Sequence, residues 1–328
     1  MESILRELLK SNEPSIRYKT LTGIYGLSES HPEVRNAREA IRTCERVKAL
    51  LKHRNRKGEI DTHPYKKWQG AHWTLSMLAE LGYPAGDTSL IPLREQVLNW
   101  LFSSNHDEYI HIINGRVRIC ASMTGNALLT LLKLELADER IDKLVNRLVE
   151  WQWPDGGWNC DKHPEASHSS FMESLLPIRG LIQYSQDRNP QPATTSIHRA
   201  AELFLSHELF KRTSDGTPIL KEFLWLRCPR HWHNDILGGL TAIESAGNLK
   251  DPRCHSALSK LKDMMLPAGG YCANGRYYQM RQPNKSQFSP VDWGPVRKGK
   301  MNEFITVEAL TILIKSGLLP LPDQRDLI

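Results

Sequence analysis

The segment Gln152-Trp-Pro-Asp155-Gly-Gly-Trp158 constrains the fold more than any other stretch of the chain. Aspartate followed by two glycines supplies backbone angles that other residues resist, so the helix before it must stop there, and the tryptophan anchors the exit. Weaker copies of this turn stand at 54–60, 212–218 and 265–271, where Met265, Ala268 and Tyr271 occupy the places of Gln152, Asp155 and Trp158. Each copy is followed, directly or after a loop, by an apolar helix with polar residues at its start. Recurrence of this kind marks a repeat architecture, and stacked helix pairs are its ordinary form.

The rest of the chain fits that frame. Helices are predicted over 1–10, 14–25 and 32–53, the last opened by Pro32, whose missing donor does no harm in a first turn. Trp73, Leu75, Leu78 and Leu81 share one helical face that stops at Gly82, and a partner helix follows over 88–102. At 109–119 the period changes to alternation around Asn114-Gly115, which predicts a two-stranded ribbon, because that pair accepts the positive φ angles of a tight hairpin. From Ser122 the helical theme returns and continues to a last helix beginning near Asn302. The count is about six hairpins. The expected fold is therefore all-α, one (α/α)6-type toroid domain over 1–328, with apolar first helices inside, charged second helices outside and one small β-ribbon.

Composition narrows the function classes. With 328 residues, 40% of them hydrophobic, the chain can bury a large core. The net charge of +6 is scattered instead of gathered into aromatic-interleaved blocks, so nucleic acid is not an expected partner. No apolar run reaches the length of a membrane span and no leader peptide is apparent. The six cysteines, Cys44, Cys120, Cys160, Cys228, Cys254 and Cys272, form no CxxC pair and read as reduced thiols of a cytoplasmic protein. Cys160, Asp161, His163 and His168 are all acceptable zinc ligands, but their spacing matches no standard site, so no metal or other cofactor is predicted.

The string Gln152 to Trp158 resembles the Gln-x-x-Asp-Gly-x-Trp repeat of squalene and oxidosqualene cyclases and of protein prenyltransferase β subunits. The resemblance implies an α/α-toroid in which the glutamine bonds the start of the next helix and the tryptophan packs beside it. It also implies a hydrophobic, isoprenoid-like substrate or lipid in a central cavity whose aromatic rings steady cations. A single barrel of this length is similar to squalene-cyclase-like or prenyltransferase-like bacterial proteins. The Asp-x-Asp-Asp acid run of type II cyclases has no counterpart here. Neither has the prenyltransferase zinc pair Asp-x-Cys, since Cys160-Asp161 is adjacent and reversed.

Acid–base groups must then come from the starts of the inner helices. Asp161, Glu165, Glu173, His233 and Asp235 are the candidate catalytic residues. Gln69, His72, Trp73, Asn126, His168, Trp232, Arg276 and Tyr278 are the candidate substrate contacts. All would gather at one end of the inner helices, around an open mouth. Two simpler roles stand beside these: Ser170 and Glu173 form a capping-box pattern, and Asp235 suits the N-terminus of its helix. Cavity polarity separates three functions. A deep aromatic pocket with one buried carboxylate suits an enzyme acting on an isoprenoid-like molecule; a filled barrel suits a lipid- or peptide-binding toroid; a polar groove with two facing carboxylates suits a glycan lyase or hydrolase.

Overall fold

The computed structural model describes residues 2–188, 190–191, 193–283 and 287–323. In chain order the helices are α1 (Glu2–Leu9), α2 (Pro14–Lys19), α3 (Pro32–Ile41), α4 (Glu45–Leu51), α5 (Ala71–Leu81), α6 (Ile91–Leu101), α7 (Ser104–Asp107), α8 (Ala121–Lys133), α9 (Arg140–Trp151), α10 (Phe171–Asp187), α11 (Ala193–Ser206), α12 (Ile236–Ser245), α13 (His255–Asp263) and α14 (Glu303–Lys315). Strands β1 (His111–Ile113) and β2 (Arg116–Arg118) pair antiparallel around Asn114-Gly115, with His111 opposite Arg118. The ribbon lies where the alternation predicts it.

Six helices close a ring. α5 packs on α8, α8 on α10, α10 on α12, α12 on α14 and α14 on α2. The hydroxyl of Ser15 in α2 then donates to the carbonyl of Leu81 at the end of α5, 2.6 Å away, completing the circle. Outside lie α1, α3 with α4, α6, α9, α11 and α13, each returning the chain, so the inner six share one direction. This is the expected all-α toroid with a small β insertion. Its core is one large apolar cluster running from Ile4 to Leu313, with a small second cluster of Leu21, Val34 and Ala37 beside α3.

The recurring turn has a common geometry. Trp153 N–H donates to Gly157 O (2.8 Å) and Gly156 N–H to Trp153 O (3.0 Å). The same pair recurs as Asn55 to Glu59 with Gly58 to Asn55, and as Leu266 to Gly270 with Gly269 to Leu266. The copy at 212–218 is one residue wider, closing from Arg212 to Thr217. Gly156 holds φ at +101°, and a Cβ there would stand 2.2 Å from the Arg199 carbonyl, so no other residue fits. Gln152 Nε2 ties the turn to its surroundings through Gly156 O (2.7 Å) and Ser196 O of α11 (2.9 Å), while the Trp158 indole donates to Leu148 O (2.9 Å).

Two boundaries differ from expectation. α2 passes into a π-helical turn, Thr20–Ile24, and the helix expected over 32–53 breaks into α3 and α4. At the break Arg42 turns inward to Asp87 (3.2 Å) and Cys44 is extended, which bends the outer layer around the ring. Among the described residues no helix is long and apolar enough to cross a membrane.

Candidate functional site

The N-terminal ends of the inner helices, expected to frame an open mouth, are instead plugged. The loop before α12 folds across them, stacking His231 on Trp68 with ring centroids 3.5 Å apart, and Trp68 meets Trp73 edge-on at 4.6 Å. Trp68 and His231 both hold left-handed backbone angles, φ +60° and +52°, which only dense surroundings sustain in residues with side chains. Trp232 packs 5.2 Å from Trp68, and His233 stacks on Tyr277 at 3.3 Å. Burial pushes His233 down to about 4. Rings and neutral imidazoles bury more apolar area closed than open, which is the physical reason the mouth is absent at this end.

Other expected residues are absorbed by the same structure. His72 is buried, and its Nε2 accepts from Asn126 Nδ2 (2.9 Å), whose Oδ1 in turn accepts from Ser76 (3.0 Å). Burial pushes His72 down to about 3, so the ring is neutral. Gln69 lies half-buried between Trp68 and the start of α5. Asp235 accepts from Gly238 N–H (2.7 Å) and caps α12, the simpler of its two expected roles; burial pushes its carboxyl up to about 6 despite Arg230. Tyr278 is buried with its hydroxyl between Asp292 (3.1 Å) and the Trp293 N–H (2.9 Å), while Arg276 is exposed, its guanidinium 5.6 Å from the Tyr278 ring.

The central cavity opens at the opposite, C-terminal end of the inner helices and has a volume of about 370 Å³ in its outer part. It is not the aromatic chamber expected. Each inner helix contributes a polar side chain: Lys19, Glu80, Lys133, Arg179, Thr241 and Glu308. Lys19 pairs with Glu80 (2.8 Å) and Arg230 with Glu308. Among the described residues Lys133 and Arg179 bond no carboxylate, and the crowded lumen wall, with Arg179 on it, pushes Lys133 down to about 8 although its side chain reaches solvent. Periodicity alone does not show the charge on this axis, because these residues sit on inner helices whose other faces are apolar.

An aromatic pocket lies off the axis, between the ribbon, the end of α6 and the start of α8. Its cavity of about 310 Å³ is walled by His63, Tyr65, Trp100, His106, Tyr109 and Met123, and it reaches Cys120 and Cys160, with Arg118 and Lys162 also on its wall. The Trp100 ring meets Tyr65, His63 and His106 at 5.4, 5.5 and 5.3 Å. Behind the thiols sits Glu173, only 7% exposed. Its Oε2 accepts from the Ser122 N–H at the start of α8 (3.0 Å), and its Oε1 from the Cys160 thiol (3.6 Å). The expected capping box with Ser170 does not form, because the Ser170 N–H is already taken by the Trp158 carbonyl (2.8 Å); Glu173 caps the neighbouring helix instead. Burial raises its carboxyl above the ordinary range, opposed by the Ser122 and Cys160 bonds. Cys120 beside it, and burial, push the Cys160 thiol far up.

Asp161, Glu165 and His168 are exposed on the loop 159–170 and do not join Glu173. Asp161 accepts from the His163 N–H (2.9 Å), and the His168 carbonyl accepts from Asn159 (2.8 Å), so the loop spends these groups on its own turns. The ligand group suggested by sequence is thereby split. Among the described residues the one group of donors close enough to hold a metal is Cys120, Cys160 and Glu173, whose ligand atoms lie within 4.8 Å of one another. Cys120 was invisible as a partner because it is forty positions away; the cue was the Asn-Gly hairpin, which delivers it to the start of α8.

No protein-family model and no curated protein matches the chain. Solved structures similar to it include a protein from Actinoplanes, at 14% identity and TM-score 0.44 over 96% of this chain and 97% of that one. Another is the type II terpene cyclase MstE from Scytonema without ligand, at 13% identity and TM-score 0.42 over 93% and 88% of the two chains.

Proposed function

We propose that the chain is an enzyme that holds a hydrophobic, isoprenoid-like small molecule in the aromatic pocket and acts on it by acid–base chemistry at Cys120, Cys160 and Glu173. The observation that carries this reading is the meeting of an aromatic concavity with two thiols and a buried carboxylate hydrogen-bonded to one of them. Rings supply apolar area and π faces for binding, while the two thiols with the buried carboxylate behind them stand together on one part of the wall, which orients the reacting part of the substrate. The pocket is near the lower end of small-molecule sites, roughly 300–1,000 Å³, so it suits a short prenyl chain. A glycan-active centre is disfavoured because the two axial carboxylates, Glu80 and Glu308, are each neutralised by Lys19 and Arg230.

The test uses geraniol and farnesol. Both should quench tryptophan fluorescence, with the response abolished by Trp100→Ala. Incubation in deuterated water should then place deuterium in substrate or product with the native chain and not with Glu173→Gln, which should still bind. Quenching that survives Trp100→Ala would remove the pocket; binding without exchange in any variant would leave a lipid-binding toroid.

A further inference from the structure

We infer that Cys120, Cys160 and Glu173 form a binding site for a single divalent ion of borderline softness, zinc above others. As a catalytic centre the site rests on the reading of the aromatic pocket given above, whereas ion binding itself stands on the donor geometry alone.

Zinc bonds sulfur at about 2.3 Å and carboxylate oxygen at about 2.0–2.2 Å, so tetrahedral ligands lie roughly 3.8 Å apart for two sulfurs and about 3.5 Å for sulfur and oxygen. Cys160 Sγ and Glu173 Oε1 already stand 3.6 Å apart, and no pair in the group exceeds 4.8 Å. Small side-chain rotations close the remainder. The backbone is set independently of any ion. Ile119 N–H meets Asn159 O (3.3 Å), which fixes the Cys120 and Cys160 segments together, and Ser170 N–H to Trp158 O (2.8 Å) fixes α10 against both.

The carboxylate is arranged as a ligand would be. Its Oε2 is held by the Ser122 N–H, leaving Oε1 as the oxygen that faces the thiols. A hydrogen bond to the far oxygen is the usual outer-shell device that orients a metal-bound carboxylate. Two sulfurs and a carboxylate oxygen, all donors that zinc takes, stand side by side, half-buried or buried, and would give up their protons on binding it. With zinc the sum is one negative charge, set at the N-terminus of α8 near Arg118 and Lys162 on the pocket wall. Three protein ligands leave a fourth position open, as in catalytic zinc sites, and Cys120 and Cys160 both border the aromatic pocket from which water or substrate would fill it. Asp161, His163 and His168 take no part.

The experiment uses the full chain, reduced, stripped with a chelator and titrated with zinc by calorimetry and with cobalt by absorption. One ion per chain is expected, with sulfur-to-cobalt charge transfer in the near ultraviolet. Cys120→Ser and Cys160→Ser should each diminish that band and weaken zinc binding by more than the roughly 10–100-fold typical of losing an outer-shell partner. Glu173→Gln should weaken zinc while keeping the sulfur band, and Cys254→Ser, at a buried thiol elsewhere, should change neither. If the serine variants unfold, iodoacetamide protection of Cys120 and Cys160 by zinc in the native chain gives the same answer. Absence of stoichiometric binding in the reduced chain, or cobalt binding without sulfur bands, overturns the site; so does a Cys120–Cys160 disulfide whose reduction confers no zinc binding. Farnesol quenching in the metal-free chain separates the two proposals: quenching without zinc binding retires the metal alone, and zinc binding without quenching retires the substrate pocket alone.

Discussion

Acidification should unfold this protein partly through His72, and the size of the effect can be worked out. The ring is 2% exposed, accepts from Asn126 at Nε2, and has no partner at Nδ1, so nothing around it stabilises a positive charge. Its folded pKa is about 3 against an ordinary value of 6.5. A histidine lowered in this way contributes its full stability above pH 6.5 and loses it as pH falls toward 3, because the unfolded chain takes up the proton first. At about 1.4 kcal/mol per unit, the loss is roughly 2 kcal/mol at pH 5 and roughly 3 at pH 4. Asp235 works in the opposite direction. Its folded pKa of about 6 favours folding as pH falls through 6, by roughly 1 kcal/mol between pH 7 and 5. His72→Gln isolates the histidine, since glutamine can accept from Asn126 and nothing is lost at Nδ1. Urea unfolding at pH 7 and pH 5 should show the native chain losing about 2 kcal/mol more than the variant. Equal losses would refute the assignment of a buried neutral imidazole.

Two further outcomes follow from the same structure. Gln152→Ala removes both bonds that fasten the repeat turn, to Gly156 and to Ser196, and should lower unfolding stability in urea by about 2 kcal/mol; a loss under about 0.5 would show that the turn holds without its glutamine. Lys133, pushed down to about 8, is about half neutral at pH 8, so trinitrobenzenesulfonate should modify it ahead of surface lysines, and Arg179→Met should slow that modification. Peptide mapping that finds Lys133 no faster than the rest would contradict the crowding of cations on the axis.

Much of the architecture was legible because it is written in short-range chemistry. Asn114-Gly115 specifies its ribbon, Gly82 stops α5, and Asp155-Gly-Gly sets a turn whose hydrogen-bond pair reappears at 55–59 and 266–270. The site was less legible because its members are joined by closure of the ring and not by spacing. Glu173 satisfied a local capping rule on paper, yet Trp158 had already claimed the group it would have bonded. Asp161, Glu165 and His168 are dense in sequence and dispersed in space, while Cys120 is distant in sequence and adjacent to Cys160. Nor does a helical face distinguish an inner residue that meets a plug from one that meets an opening: His72 lies at the sealed end and Lys133 at the open end of neighbouring helices.

Because the inner helices share one direction, their terminal carbonyls all converge on the opening of the axis. Each such terminus carries about half a negative charge, so six of them amount to about three. Lys133, the last residue of α8, stands within that field, and Arg179 lies deeper in the same lumen. The backbone thus adds to Glu80 and Glu308 as their counter-charge. Compensated in this way, the positive side chains leave the barrel's axis close to electrically neutral, with little field to draw in either an anion or a cation.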